Sequence, residues 1–282
     1  MSTPTVRTIP LPSGEAIPVL GQGTWGMGEQ ARRRESEVAT LRLGLELGMT
    51  LIDTAEMYAN GKAEEVVGEA IAGHRDDVFL VSKVLPSNAT HSKTIAACEC
   101  SLKRLGTDRL DLYLLHWRGQ TSLAEIIDVF TTLVNAGKIR YWGVSNFDVS
   151  DMQELMNIPG GAAVAANQVL YNLTRRGIEY DLLPWCHEHS LPVMAYSPIE
   201  QGRMLHHPAL QNLAAKYEAT TAQIALAWLF RRDGLNVIPK ASTQAHVREN
   251  YAALNLHLNE QDITVLDHAF PPPTGPHPLE ML

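Results

Sequence analysis

The strongest constraint in this chain is a regular alternation of two patterns. Short apolar runs stand at residues 17–20, 50–52, 78–81, 110–115, 139–144, 163–168, 192–195 and 235–238. Runs of that length, bounded by turn residues, suit strands buried on both faces. Between them lie segments of helical period: 36–47 carries Val38, Leu41 and Leu45 on one face, and 122–135 carries Ile126, Ile127, Phe130 and Leu133. Further helices are expected over 92–105 and 180–190, and Ile224, Leu226, Trp228, Leu229 and Phe230 read as the core of another. Gly48, Gly106 and Gly137 close three helices, and Pro239 ends the pairing of the last strand.

Eight strands alternating with about eight helices define an α/β protein, either a closed (β/α)8 TIM barrel or a doubly wound open sheet. The count favours the barrel. Residues 7–14, with Ser13 and Gly14 at a turn, predict a short N-terminal β-hairpin ahead of the first barrel strand, closing the barrel bottom. No Pro/Gly/Ser linker or block of charge divides residues 1–282, so one domain is expected, with the Pro run at 271–273 marking where the tail leaves the last helix.

Composition narrows the partners. Lys plus Arg total 23 against 31 Asp plus Glu, a net charge of −8, which offers no basic footprint for nucleic acid or an anionic membrane. No apolar run approaches the roughly 18 residues of a membrane span, and residues 1–10 lack the apolar core of a secretory signal, so a cytoplasmic monomer acting on a small molecule is expected. Three cysteines, Cys98, Cys100 and Cys186, suit reduced structural roles, the first two on different faces of one helix. His187 and His189 are two apart on a helix and diverge, so no metal site is expected.

Gly21-Gln-Gly23-Thr-Trp-Gly26 matches the dinucleotide fingerprint G-x-G-x-x-G, and Asp53 trails it at a believable distance. The fingerprint needs its third glycine inside the opening helix, whereas here a loop runs on to a helix start near Ser36, and Trp25 stands where backbone should meet a pyrophosphate. The preferred reading is a glycine-rich loop over a barrel mouth.

That mouth, at the carboxyl ends of the strands, is where barrel enzymes keep their chemistry. Asp53, Lys83 and His116 end the second, third and fourth strands, and Tyr58 follows Asp53 in the next loop. Each alone has an ordinary reading: a helix cap, a surface cation, a core imidazole, a loop aromatic. Together they make sense as a proton-transfer centre. Lys83 would favour the phenolate and lower the Tyr58 pKa, Asp53 would hold Lys83, and His116 would donate a hydrogen bond to the reacting oxygen. Trp25, Met27 and Trp117 fall at the same rim and are expected to wall a substrate pocket with Tyr58 and His116. Short loops there and a brief tail beyond Phe270 predict an open, weakly selective site.

The motifs Leu51-Ile-Asp53-Thr-Ala-Glu-Met-Tyr58, Val81-Ser-Lys83-Val, Asp111-Leu-Tyr-Leu-Leu-His116-Trp, Gly143-Val-Ser145-Asn146-Phe, Asn167-Gln168-Val, Tyr196-Ser-Pro198 and Ile238-Pro-Lys240, in this order over residues 7–270, resemble the aldo-keto reductase family. The likeness is strongest to its bacterial branch associated with methylglyoxal and other small aldehydes. The resemblance implies a barrel that binds an extended NADPH without a Rossmann fold and passes a hydride to an aldehyde or ketone. It implies that Asp53, Tyr58, Lys83 and His116 are the catalytic tetrad, Tyr58 giving the proton. Ser145, Asn146 and Gln168 would bind the nicotinamide carboxamide, Tyr196 would stack on the ring, and Gly23 and Thr24 would lie by its ribose, with Asp53 and Ile238 also on the cofactor. Ser197, Pro198, Gln201 and Gly202 would cross the pyrophosphate, and Glu249 and Asn250 would touch adenine.

Lys240, with Ser242 and the amides that open the following helix, forms an expected anion site fit for a 2'-phosphate. The family commonly has Ser after this Lys and Arg six positions on, where this chain has Ala241 and His246, so NADPH is expected with weakened discrimination against NADH. Arg248 faces elsewhere on the helix, and Arg32 to Arg34 read as a solvated helix entry. Two other functions share these features: a reductase of sugar-derived, diketogluconate-like ketones, and a cofactor-binding regulatory subunit on the same fold.

Overall fold

A computed structural model of the chain describes residues 6–282; residues 1–5, on which part of the targeting reading falls, lie outside the described residues. Strands β1 (Thr8–Pro10) and β2 (Ala16–Pro18) form the expected antiparallel hairpin, Ile9 opposite Ile17. Eight parallel strands follow: β3 (Gln22–Gly23), β4 (Leu51–Asp53), β5 (Phe79–Val84), β6 (Leu110–Leu115), β7 (Ile139–Ser145), β8 (Asn167–Leu170), β9 (Val193–Tyr196) and β10 (Leu235–Val237), each paired with the next.

The sheet closes on itself. Val237 N–H donates to the Val19 carbonyl, Gly21 N–H to that of Val237, and Gly23 N–H to that of Pro239. Closure removes both sheet edges. It also explains Gly23: a Cβ there would stand 2.8 Å from the Ile238 carbonyl oxygen, closer than packing allows. Residues 17–20 therefore do not form the first barrel strand. Pro18 ends β2, Leu20 makes a single bridge to Val237, and the barrel strand is Gln22–Gly23. The glycine motif is thus part strand and part loop.

Helices α1 (Arg34–Glu46), α2 (Lys62–Ile71), α3 (His91–Leu105), α4 (Leu123–Asn135), α5 (Val149–Met156), α6 (Leu182–Glu188), α7 (Pro208–Lys216), α8 (Thr221–Leu229), α9 (Gln244–Ala252) and α10 (Glu260–Ala269) complete the chain. Consecutive helices pack side by side from α1 to α4, and α1 returns to meet α9. On α4, Ile126, Ile127, Phe130 and Leu133 are buried as their spacing predicts, and Ser122 caps it by accepting the Glu125 N–H. Cys98 is buried and Cys100 exposed, on different faces of α3.

The hairpin lies at the amino ends of the strands, where Arg140 and Tyr141 at the start of β7 both donate hydrogen bonds to Glu15. Every residue of β5 and β6 is buried. The opposite, carboxyl end of the barrel is thereby left to carry polar side chains.

Candidate active site

At that end Asp53 closes β4, Lys83 is the penultimate residue of β5, and His116 follows β6. Tyr58 is aimed at them by a strained turn: Ala59 and Asn60 take φ +49° and +54°, and Gly61 takes +85°. Left-handed backbone costs a non-glycine residue roughly 1–2 kcal/mol, and here it folds the chain sharply into α2.

The Lys83 ammonium is fully buried and spends its three protons on three acceptors: Asp53 Oδ2 at 2.7 Å, the Thr54 carbonyl at 2.8 Å and Tyr58 Oη at 3.2 Å. The other Asp53 oxygen accepts the Gln168 amide at 2.8 Å. Because Oη of Tyr58 is an acceptor from Lys83, its own proton remains free to point elsewhere. The His116 ring lies edge-on to Tyr58, centroids 5.9 Å apart, and against Trp117 at 4.9 Å.

Protonation differs from the expectation in one respect. Burial pushes the Tyr58 hydroxyl above its ordinary pKa of 10.0, and although Lys83 pulls it back, Asp53 adds to the rise, so the group is held as a phenol instead of being poised toward phenolate. Burial works against the Lys83 ammonium, yet Asp53 and Tyr58 more than offset it and its pKa is raised. Burial and the neighbouring Lys83 lower His116 to about 3, so its imidazole is neutral near pH 7.

These groups open on a cavity of about 690 Å³. Tyr58, His116, Trp117 and Trp25 line one end of it with Asp53, Gly23 and Thr24. Its middle carries Ser145, Asn146, Gln168 and Tyr196, the Tyr196 hydroxyl donating to Asn146 at 3.0 Å. Ser197, Pro198, Gln201 and Gly202 form one wall, and Ile238, Lys240, Ser242 and His246 the far end, where Lys240 donates to Ser242 at 2.9 Å. Partial burial lowers the pKa of Lys240.

Three expected contacts fall elsewhere. Met27 is only 1% exposed and packs into the core, because Gly26 and Gly28, at φ +80° and +76°, reverse the loop and turn it inward. Glu249 and Asn250 do not line the cavity. Arg248 faces a separate surface groove shared with Arg42 and Glu69, as its spacing from His246 predicts.

Sequence reasoning missed Glu29, Arg33, Met57, Met281 and Leu282, which also line the cavity. The tail is the largest omission. It returns to the mouth, tied by Arg175 to Glu280 at 2.5 Å, and the Leu282 backbone hydrogen-bonds the Tyr196 hydroxyl. The open site expected from a short tail is therefore partly covered. Trp25, Met57, Met281 and Leu282 make up most of the exposed large apolar side chains among the described residues, and all four stand at this mouth. Such clustering marks a surface that meets a ligand.

A closed parallel barrel with a titratable cluster at the carboxyl ends of its strands, beside a groove that ends in a lysine, defines a (β/α)8-barrel enzyme. Residues 19–270 match the model of the aldo/keto reductase family. Methylglyoxal reductase YeaE of Escherichia coli is 54% identical over 272 residues, covering 95% of this chain and 96% of that protein. Glyoxal reductase of Bacillus subtilis is 32% identical over the full length of both. An aldo/keto reductase from Klebsiella pneumoniae, solved in complex with NADP and acetate, superposes with a TM-score of 0.96 at 51% identity, covering 99% of this chain and all of that one. The chain belongs to the aldo/keto reductase family and is an oxidoreductase.

Proposed function

We propose that this protein reduces small aldehydes and α-oxoaldehydes such as methylglyoxal to alcohols, using NADPH, with Tyr58 as proton donor. The observation that carries this reading is the Asp53–Lys83–Tyr58 chain: a phenol kept protonated by burial, in contact with a fully satisfied buried cation, facing a cavity. The names of the relatives, a methylglyoxal reductase and a glyoxal reductase, support the substrate class, and the NADP-bound neighbour supports the cofactor.

The residues present suit that cofactor. His116 Nδ1 and Ser197 Oγ are buried polar atoms with no partner among the described residues, and both belong to residues that line the cavity. The carboxamide would meet Ser145, Asn146 and Gln168, the ring would stack on Tyr196, and Gly23 and Thr24 would flank the ribose. Ser197 to Gly202 would pass over the pyrophosphate, and Lys240, Ser242 and His246 would receive the 2'-phosphate. When bound, the nucleotide supplies a hydride to the carbonyl carbon.

The chain's own groups handle the carbonyl oxygen. Tyr58 and neutral His116 orient it, His116 as a hydrogen-bond donor whose lost basicity keeps it from taking a proton. Tyr58 gives its proton to that oxygen, and Lys83, already within hydrogen-bonding distance, stabilises the tyrosinate left behind until solvent restores the proton. Asp53 and Gln168 keep Lys83 in register. Trp25, Trp117, Met57 and the tail limit the pocket to compact carbonyl compounds. The same reading has the chain acting as a single-domain cytoplasmic monomer.

The test is loss of nicotinamide absorbance with purified protein and methylglyoxal, run in parallel with NADPH and NADH. Fast oxidation of NADPH is expected, with slower oxidation of NADH. Absence of oxidation with either nucleotide, while both still bind, would overturn the assignment.

A further inference from the structure

The far end of the cavity contains an unexplained charge. Lys240 brings one positive charge, and Ser242 is already engaged by it. A phosphate monoester carries about 1.5 to 2 negative charges near pH 7, so one lysine leaves such a group undercompensated. From the loop between β3 and α1, Arg33 lines the same cavity.

Arg33 is the uncommitted member of its run. Arg32 donates twice to Gln30, and Arg34 pairs with Glu65 and Glu69, but among the described residues Arg33 makes no ion pair or side-chain hydrogen bond. Its position is also unfavourable for a purely structural cation. It is the N-cap residue of α1 and gives the helix no side-chain cap, so its charge stands at the positive end of the helix dipole. Its field reaches Lys240, working against the lysine's protonation, while the carboxylates of Glu37 and Glu29 work for it. Glu37 is held by the Gly28 N–H, and Glu29 shares the cavity rim. Among the described residues neither Arg33 nor Lys240 makes an ion pair, and two unpaired cations on one cavity suit a doubly charged ligand group.

We propose that Arg33 is the second cation of the 2'-phosphate subsite and sets the preference for NADPH over NADH. The proposal rests on the cofactor reading given above. It assigns discrimination to the β3–α1 loop as well as to the segment after β10. The resulting subsite takes one cation from each of these two chain segments.

The test uses the full-length protein and two adenosine nucleotides in calorimetric titration, adenosine 2',5'-bisphosphate and 5'-AMP, which differ only in the 2'-phosphate. Arg33→Ala is expected to weaken binding of the bisphosphate about tenfold and to leave 5'-AMP within about twofold, with the loss shrinking as salt is raised. Lys240→Ala should act in the same direction, and Arg32→Ala should leave both affinities unchanged. If Arg33→Ala costs the bisphosphate no more than Arg32→Ala does, while Lys240→Ala does weaken it, the cofactor reading stands and Arg33 is excluded from the subsite. Equal weakening of both nucleotides by Arg33→Ala also overturns the proposal. Should the wild-type protein bind both nucleotides equally and Lys240→Ala change neither, the 2'-phosphate site itself is wrong and the proposal falls with it.

Discussion

His116 shows how burial sets chemistry at a single residue. Its imidazole is 8% exposed and beside Lys83, so the folded state refuses a proton down to about pH 3, while an unfolded chain accepts one near 6.5. Between those values the unfolded state binds more protons, so lowering the pH across that window removes stability, at most about 1.4 kcal/mol per pH unit from this one group. Above pH 6.5 the contribution is constant. Denaturant unfolding of wild type and His116→Gln at a series of pH values should show a stability difference that shifts in the variant's favour as pH falls below 6.5. A difference independent of pH would mean the ring is not held neutral by the fold. At this scale the sequence located Asp53, Lys83 and His116 at one end of the barrel, because strand ends are easy to find. It misled on Met27, whose inward turn depends on two left-handed glycines, and on the direction of the Tyr58 shift, because spacing reveals a neighbouring lysine but not the depth of burial.

Among the elements, the segment 197–206 over the cavity wall is the one under most tension. Ser197, Glu200 and Gln201 are non-glycine residues at φ +49°, +50° and +55°. What holds them is Glu200, 4% exposed, which accepts hydrogen bonds from Arg175, Arg203 and Asn172. Burial opposes its ionisation, yet those three partners keep its carboxyl below the usual range. Arg175 reaches on to Glu280, so one guanidinium fastens both the strap and the tail. Glu200→Gln should therefore loosen the strap and speed release of bound NADPH about three- to tenfold in stopped-flow fluorescence. An unchanged release rate would show that the strap is held by other contacts. Little of this was visible in the residue pattern, since Arg175 and Asn172 stand 25 and 28 residues from Glu200 along the chain. The buried strand 110–115, by contrast, was legible because it is a short leucine-rich run bounded by turn residues. The first barrel strand was not, because it is only two residues long and is recruited by the close approach of Gly23 to Ile238.

At the scale of the whole molecule, closure of the barrel divides the labour between its two ends. Its amino end carries the hairpin and Glu15 contacts that shut the core, and its carboxyl end gathers side chains from β4 to β10 around one cavity. The alternation of strand and helix was enough to foresee that division. It could not foresee the tail, because residues 271–282 have no periodicity and acquire their place only by reaching back to Arg175 and Tyr196. On the proposed function, one end of the cavity, around Tyr58, transfers the proton and the part ending at Lys240 binds the nucleotide, so chemistry and cofactor affinity should be separable by mutation. Tyr58→Phe removes one oxygen and leaves Asp53 still bonded to Lys83. Measured on one preparation, this variant should lose turnover of methylglyoxal by roughly 10²- to 10⁴-fold while its dissociation constant for NADPH stays within about twofold of wild type. Turnover near the wild-type rate, with cofactor binding intact, would contradict the assignment of Tyr58 as the proton donor.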